Sequence, residues 1–185
     1  MTLNERFITT LAAARTGADW AWTEIYRDLA PVVLAFLRGR RAPEPEDLLG
    51  EVFLQVVKSV DRFEGNERDF RTWVLAIAHR RMVDAFRHRA RRPVDPAPDD
   101  LLGAHGPAAD AEAQALDNAE LTRALSAIRF LSADQQDVLV MRLVADLSVE
   151  EVAAVLGKRP GAVRALQRRG LASLRKELHR EGVSL

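Results

Sequence analysis

Arginine is the residue type best placed to do chemistry in this chain, and it is concentrated in two stretches. Between positions 71 and 92 stand Arg71, Arg80, Arg81, Arg87, Arg89, Arg91 and Arg92 against the single acid Asp84, and a second group comprises Lys158, Arg159, Arg164, Arg168 and Arg169. A guanidinium is permanently charged and offers a planar fork of donors, so such groups hold phosphate oxygens or read the acceptor edge of guanine. Trp73 stands near the start of the first stretch. Cations along a backbone with an aromatic ring beside them suit a single-stranded nucleic acid whose unpaired bases can stack.

Other chemistries find less support. Of the four histidines, His88 lies one helical turn after Asp84, but no nucleophile with a base and no third metal ligand accompanies the pair. The expectation is therefore no catalytic residue, no metal and no cofactor, with an enzyme or metal protein built on the histidines as an alternative that metal analysis would settle. The chain has no cysteine, which excludes a disulfide framework and a thiolate metal site. Glu5 and Arg6 interrupt what would be the apolar core of a signal peptide, and no run approaches a membrane-spanning length, so a cytoplasmic protein without membrane insertion is expected.

At 185 residues, 48% hydrophobic and 29% charged, the chain suits one domain or two small ones. Its formal net charge of +0 hides a segregation of sign. Between the two basic stretches, Asp95, Asp99, Asp100, Asp110, Glu112 and Asp117 follow one another without a lysine or arginine. The segment RPVDPAPDDLLGAHGPAAD, residues 92–110, is too poor in apolar residues and too rich in proline and glycine to build a core, and reads as a flexible acidic linker.

Elsewhere apolar residues recur at helical spacing and no period-two alternation competes, which predicts an all-α protein of two small helical domains. Helices are predicted over residues 3–14, over 18–39 with Trp22, Ile25, Leu29, Val33 and Phe36 on one side, and over 45–60 with Leu48, Leu49, Val52, Phe53, Val56 and Val60 inward. A fourth is predicted over 70–89, after the loop DRFEGNERD, and a fifth near 111–130. Ser132 with Gln135, and Ser148 with Glu151, fit capping boxes at two later helix starts. SVEEVAAVLG, the turn GKRPG and the helix AVRALQRRGLASLRKEL together read as a helix-turn-helix. Gly157 supplies the left-handed residue, Ala153 and Ala154 are small where the helices approach, and Pro160 falls in the first turn of the second helix. In that reading Val152, Val155 and Leu156 meet Val163, Leu166 and Leu174, leaving Arg164, Arg168 and Arg169 outward, with Lys158 and Arg159 at the helix N-terminus. Gly170 costs about 1 kcal/mol relative to alanine in a helix interior, so it marks a bend or a close contact.

EDLLGEVFLQVVKSVDRF and FRTWVLAIAHRRMVDAFRHRARR resemble region 2 of bacterial RNA polymerase sigma factors of the sigma-70 family, in the extracytoplasmic-function group. LSADQQDVLVMRLVADLSVEEVAAVLGKRPGAVRALQRRGLASLRKEL resembles region 4 of the same group. The resemblance implies region 2 over residues 1–92, a linker over 93–112 and region 4 over 113–185. It further implies a subunit without chemistry of its own that binds core RNA polymerase and directs it to promoter DNA.

By the same resemblance Asp47, Glu51, Leu54 and Gln55 face the clamp helices of the largest polymerase subunit, and region 4 meets the flap of the second-largest. Phe63, Asn66, Trp73, Arg80, Arg81 and Arg87 would serve the minus-ten element. Lys158, Arg159, Arg164, Arg168 and Arg169 would serve the minus-thirty-five element. Gly50 and Arg80 stand where relatives carry glutamine and asparagine, and Ala165 and Leu166 where polar residues are common. In relatives the linker threads polymerase channels that otherwise hold RNA, and an anti-sigma factor is an expected partner. The alternative is a conventional helix-turn-helix regulator that binds duplex DNA as a dimer without polymerase.

Overall fold

The computed structural model describes residues 6–91 and 130–180, the side chain of Leu178 excepted. Both described segments are helical. In the first, α1 (Phe7–Arg15), α2 (Asp19–Gly39), α3 (Pro45–Ser59) and α4 (Glu67–Arg91) surround one core. In the second, α5 (Ala133–Leu143), α6 (Val149–Leu156) and α7 (Pro160–Arg180) form a smaller unit. The predicted helix near 111–130 and the acidic linker lie outside the described residues, apart from Phe130.

The spacing that predicts α2 also explains its packing. Ile25, Leu29, Val33 and Phe36 are buried against Leu48, Leu49, Val52, Phe53 and Val56 of α3 and Phe70, Val74, Leu75, Ile77, Ala78 and Met82 of α4. Each such side chain contributes about 1.5–3 kcal/mol on removal from water. Arg15, at the end of α1, donates to the carbonyls of Val60 and Phe63, and so ties α1 to the chain leaving α3.

That chain is shorter than DRFEGNERD suggests. Val60–Arg62 form a 3-10 turn, and α4 starts at Glu67 rather than near Phe70. Asn66 Oδ1 accepts from the Asp69 N–H at 3.0 Å while Asp69 Oδ2 accepts from the Asn66 N–H at 2.9 Å, a reciprocal cap that extends the helix back by one turn.

In the smaller unit both capping boxes are formed. Ser132 pairs with Gln135 at the start of α5, and Ser148 with Glu151 at the start of α6. Gly170 answers to close contact: a Cβ there would lie 3.1 Å from Leu139 Cδ1 of α5. The two units also touch. α4 lies against α6, and the end of α2 lies against α5.

Candidate nucleic-acid interface

The helix-turn-helix is assembled from its turn outward. Gly157 takes φ +62°, the left-handed conformation that ends α6 and re-aims the chain into α7 at Pro160. Val152 and Val163 are fully buried between the two helices, and Ala153 is buried with them. Ala154 departs from the expected packing. It is exposed and faces a cleft toward α4 rather than the approach of α6 to α7.

Outward from this hinge, Arg159, Arg164, Arg168 and Arg169 are all exposed. Arg164 donates to Glu150 at 2.9 Å and Lys158 to Asp134 at 2.9 Å. Such partly exposed pairs are worth about 0–1 kcal/mol, too little to withhold these cations from a polyanion. Among the described residues no carboxylate lies within ion-pair distance of Arg168 or Arg169. One face of α7 is thus a row of cations borne on a rigid, capped scaffold.

The second cationic surface lies on α4 and the short loop before it. Phe63, Phe70 and Trp73 form an aromatic cluster with ring centroids 5.1–5.5 Å apart, and Phe7 joins it through Phe70. Phe70 belongs to the core at 1% exposure, and Phe63 is nearly as buried at 7%. Phe63 and half-buried Trp73 nevertheless reach the wall of the cleft. Asn66 is held by the cap with Asp69, so both its backbone N–H and its side-chain oxygen are engaged.

Arg80 and Arg87 are exposed, the first donating to the Ala76 carbonyl of its own helix at 3.2 Å and the second paired with Asp84 at 3.4 Å. Arg81 turns toward α3 instead. It donates to Gln55 Oε1 at 3.1 Å and lies 3.8 Å from Glu51.

On α3 the structure separates the expected polymerase-facing residues. Asp47, Glu51 and Leu54 form an exposed stripe, with Leu54 61% exposed, whereas Gln55 is half-buried and occupied by Arg81. Val57, 48% exposed, continues the stripe one turn further. An i, i+3, i+4 reading from Leu54 could have found it.

The two units enclose a cleft of about 610 Å³. α6 contributes Glu150, Glu151, Ala154 and Val155, and the other wall includes Arg62, Phe63, Thr72 and Trp73. At its edge Arg68 donates to Glu151 through Nε at 2.6 Å and through a second nitrogen at 3.0 Å. Burial pushes the Glu151 carboxyl up, but hydrogen bonds from Arg68 and Ser148 and the Arg68 charge outweigh it and hold the group at about 2. Where the end of α2 meets α5, Asp137 accepts from Arg40 Nε at 2.5 Å and lies 3.6 Å from His79 Nε2, while Gln136 accepts from Arg40 at 2.7 Å. Neither periodicity nor local spacing marks Arg68 or Asp137 as residues that join the two units.

This geometry, two cation-bearing helical units joined in one chain, is that of known proteins. A family model described as Sigma-70 region 2 matches residues 25–92, and one described as Sigma-70, region 4 matches residues 127–176. ECF RNA polymerase sigma factor SigD of Mycobacterium tuberculosis is 30% identical over 183 residues, covering 94% of this chain and 84% of that protein. The chain belongs to the ECF RNA polymerase sigma factors. ECF RNA polymerase sigma factor ShbA of Streptomyces griseus is 32% identical over 175 residues, with 86% of this chain and 88% of the relative covered.

The sigma-factor fold is shared with CnrH, solved in complex with the cytosolic domain of CnrY. That similarity has a TM-score of 0.65 and 24% identity, covering 92% of this chain and 96% of CnrH. RpoE from Bartonella quintana, solved in complex with the anti-sigma factor NepR, gives a TM-score of 0.66 and 20% identity over 85% of this chain and 96% of that one. This sigma factor therefore directs RNA polymerase to promoters, and the reading as a polymerase-independent regulator is not favoured. Sigma factors are not a class of enzyme. Among the described residues no helix is long and apolar enough to cross a membrane.

Proposed function

We propose that this sigma factor divides promoter reading between its two cationic surfaces. Residues 1–92 act as region 2, which docks on core polymerase and captures the minus-ten element. Residues 93–112 are the linker, and residues 113–185 act as region 4 on the minus-thirty-five element. The observation that carries this is the cationic face of α7, with Arg159, Arg164, Arg168 and Arg169 exposed beyond a closed helix-turn-helix core. Such a face enters a major groove with phosphates gripped at the N-terminal end of the helix.

For region 2, Arg80 and Arg87 hold the strand backbone, while Phe63 and Trp73 offer aromatic edges at the cleft to an unstacked base. Arg81 serves first as a brace between α4 and the polymerase-facing helix. Asp47, Glu51 and Leu54, continued by Val57, form the surface for the clamp helices: carboxylates ring an apolar strip, a pattern that suits a basic partner with an apolar centre. Region 4 meets the flap of the second-largest subunit. The protein works in the cytoplasm without catalysis, metal or cofactor of its own, and an anti-sigma factor holds it off polymerase, as the solved complexes of CnrH and RpoE suggest.

Run-off transcription with purified bacterial core polymerase, on fragmented DNA from the source organism, tests the reading. Discrete transcripts that require the protein are expected and give the promoter sequence directly. Absence of transcripts and of core association, together with tight binding of the protein alone to duplex DNA, would overturn it.

A further inference from the structure

Gly50 stands in the interior of α3, where glycine is the poorest helix former after proline, and nothing inside the chain asks for it. Its φ is not positive, and a Cβ added there would meet no atom within 4 Å, whereas one at Gly170 would press on Leu139. A glycine that neither turns the chain nor admits a neighbour of its own is left with one use, close approach from outside.

The surroundings define what approaches. With about 3.6 residues per turn, Gly50 falls at the centre of the outward face of α3. Asp47 and Leu54 flank it on one side and Phe53 on the other, with Val57 two turns further in line. Phe53 is buried and packs against Tyr26, their ring centroids 4.7 Å apart, and Tyr26 is itself 46% exposed. Side chains on a helix lean back over the preceding turn, so Phe53 and Leu54 wall the gap that Gly50 leaves. The rim of this short apolar notch is acidic. Among the described residues Asp47 has no cation within ion-pair distance, and exposed Glu51 has only the loose contact with Arg81 at 3.8 Å.

We infer that Gly50 determines the fit to core polymerase: it floors a notch, walled by Leu54 on one side and by Phe53 with Tyr26 on the other, that takes the stem of one long basic side chain from a polymerase helix while Asp47 and Glu51 hold its cation. A lysine or arginine satisfies both halves of the site, because its methylene stem is apolar and its head is charged. The inference rests on the reading of α3 as the polymerase-facing helix, and it adds the residue that sets how closely the partner packs. It also brings α2, through Tyr26, into that surface.

The test uses the full-length protein, purified core polymerase of the source organism, and the variants Gly50→Ala, Gly50→Leu, and Asp47→Lys with Glu51→Lys. Affinity for core is read by competition against labelled wild-type protein, and thermal unfolding is read on the same samples. Alanine and leucine are better helix formers than glycine and have open space at this position, so both single variants should melt above wild type. Their core affinity should nevertheless fall, several-fold for alanine and further for leucine, because each fills the notch. Stability and binding moving in opposite directions is a result that a merely structural role does not produce. Wild-type core affinity in both glycine variants, or melting of Gly50→Ala below wild type, would overturn the inference. If the charge-reversed protein loses core binding while the glycine variants keep it, the notch is ruled out and the polymerase-facing reading of α3 stands. If the charge-reversed protein also binds normally, that reading fails together with the notch.

Discussion

At the scale of single residues, what decides function is whether a cation is already spoken for. Arg164 has Glu150, but the two side chains are 62% and 63% exposed, and water screens such a pair to about 0–1 kcal/mol. Duplex DNA offers many phosphates and releases counterions, so it wins that competition. Replacing Arg164 and Arg168 by alanine should weaken promoter binding by holoenzyme while core binding is unchanged. The slope of log K against log salt should fall by about two, since each phosphate neutralised by a cation contributes about 0.9 to it. Filter binding across a salt series checks this. Equal loss of core affinity would mean that the helix contacts polymerase instead.

Gly170 gives a second residue-scale expectation. Alanine would gain about 1 kcal/mol of helix propensity but would press on Leu139, a side chain only 1% exposed, at 3.1 Å from Cδ1 and 3.3 Å from Cγ. Overpacking costs typically about 1–3 kcal/mol, so Gly170→Ala should destabilise region 4 by about 1 kcal/mol in urea unfolding. The arginines are legible in the sequence because charge needs no context. The burial of Phe63 is not, because an aromatic in a polar loop reads alike whether it turns in or out.

At the scale of elements, local rules carry most of the fold. The two serine capping boxes, the Gly157 hinge and the apolar stripe of α2 follow from neighbours three or four residues apart, and all are present. The start of α4 escapes those rules because the cap there uses Asn66 and Asp69 rather than serine and glutamate. For α3 the sequence separates inward from outward residues, but it does not show that Gln55 is taken by Arg81. The outward stripe supports a definite experiment. Asp47→Lys with Glu51→Lys should abolish binding to core polymerase and leave helical circular dichroism intact. Both side chains are exposed, and the ion pair that Glu51 gives up, with Arg81 at 3.8 Å, is itself a surface pair. Normal holoenzyme assembly by this variant would rule the stripe out as the polymerase-binding surface.

At the scale of the whole molecule, the informative contacts join residues far apart in the chain: Arg68 with Glu151, separated by 83 positions, and Arg40 with Asp137, separated by 97. No period or motif encodes such a pairing, and Glu151 already has a sufficient local explanation as the third residue of a capping box. Its electrostatics make the long-range role measurable. The Glu151 carboxyl is held at about 2 against an ordinary 4.5, while the Arg68 guanidinium, raised by the hydrogen bond to Glu151, stays charged throughout.

A carboxyl depressed in the folded state adds stability that is fully present above its unfolded value and is lost as pH falls through the folded one. The wild-type protein should therefore exceed Glu151→Gln in urea-unfolding free energy by a constant amount from about pH 8 to pH 5. The difference should shrink below about 4.5 and be lost as pH falls through about 2. Adding Arg68→Ala to both proteins should remove most of the pH dependence, because the charge that opposes burial is then gone and only the Ser148 hydrogen bonds remain to depress the carboxyl. If the difference instead persisted undiminished at pH 2, Glu151 would be acting through packing and helix capping alone, and the electrostatic contribution to the contact between the units would rest on Arg40 and Asp137.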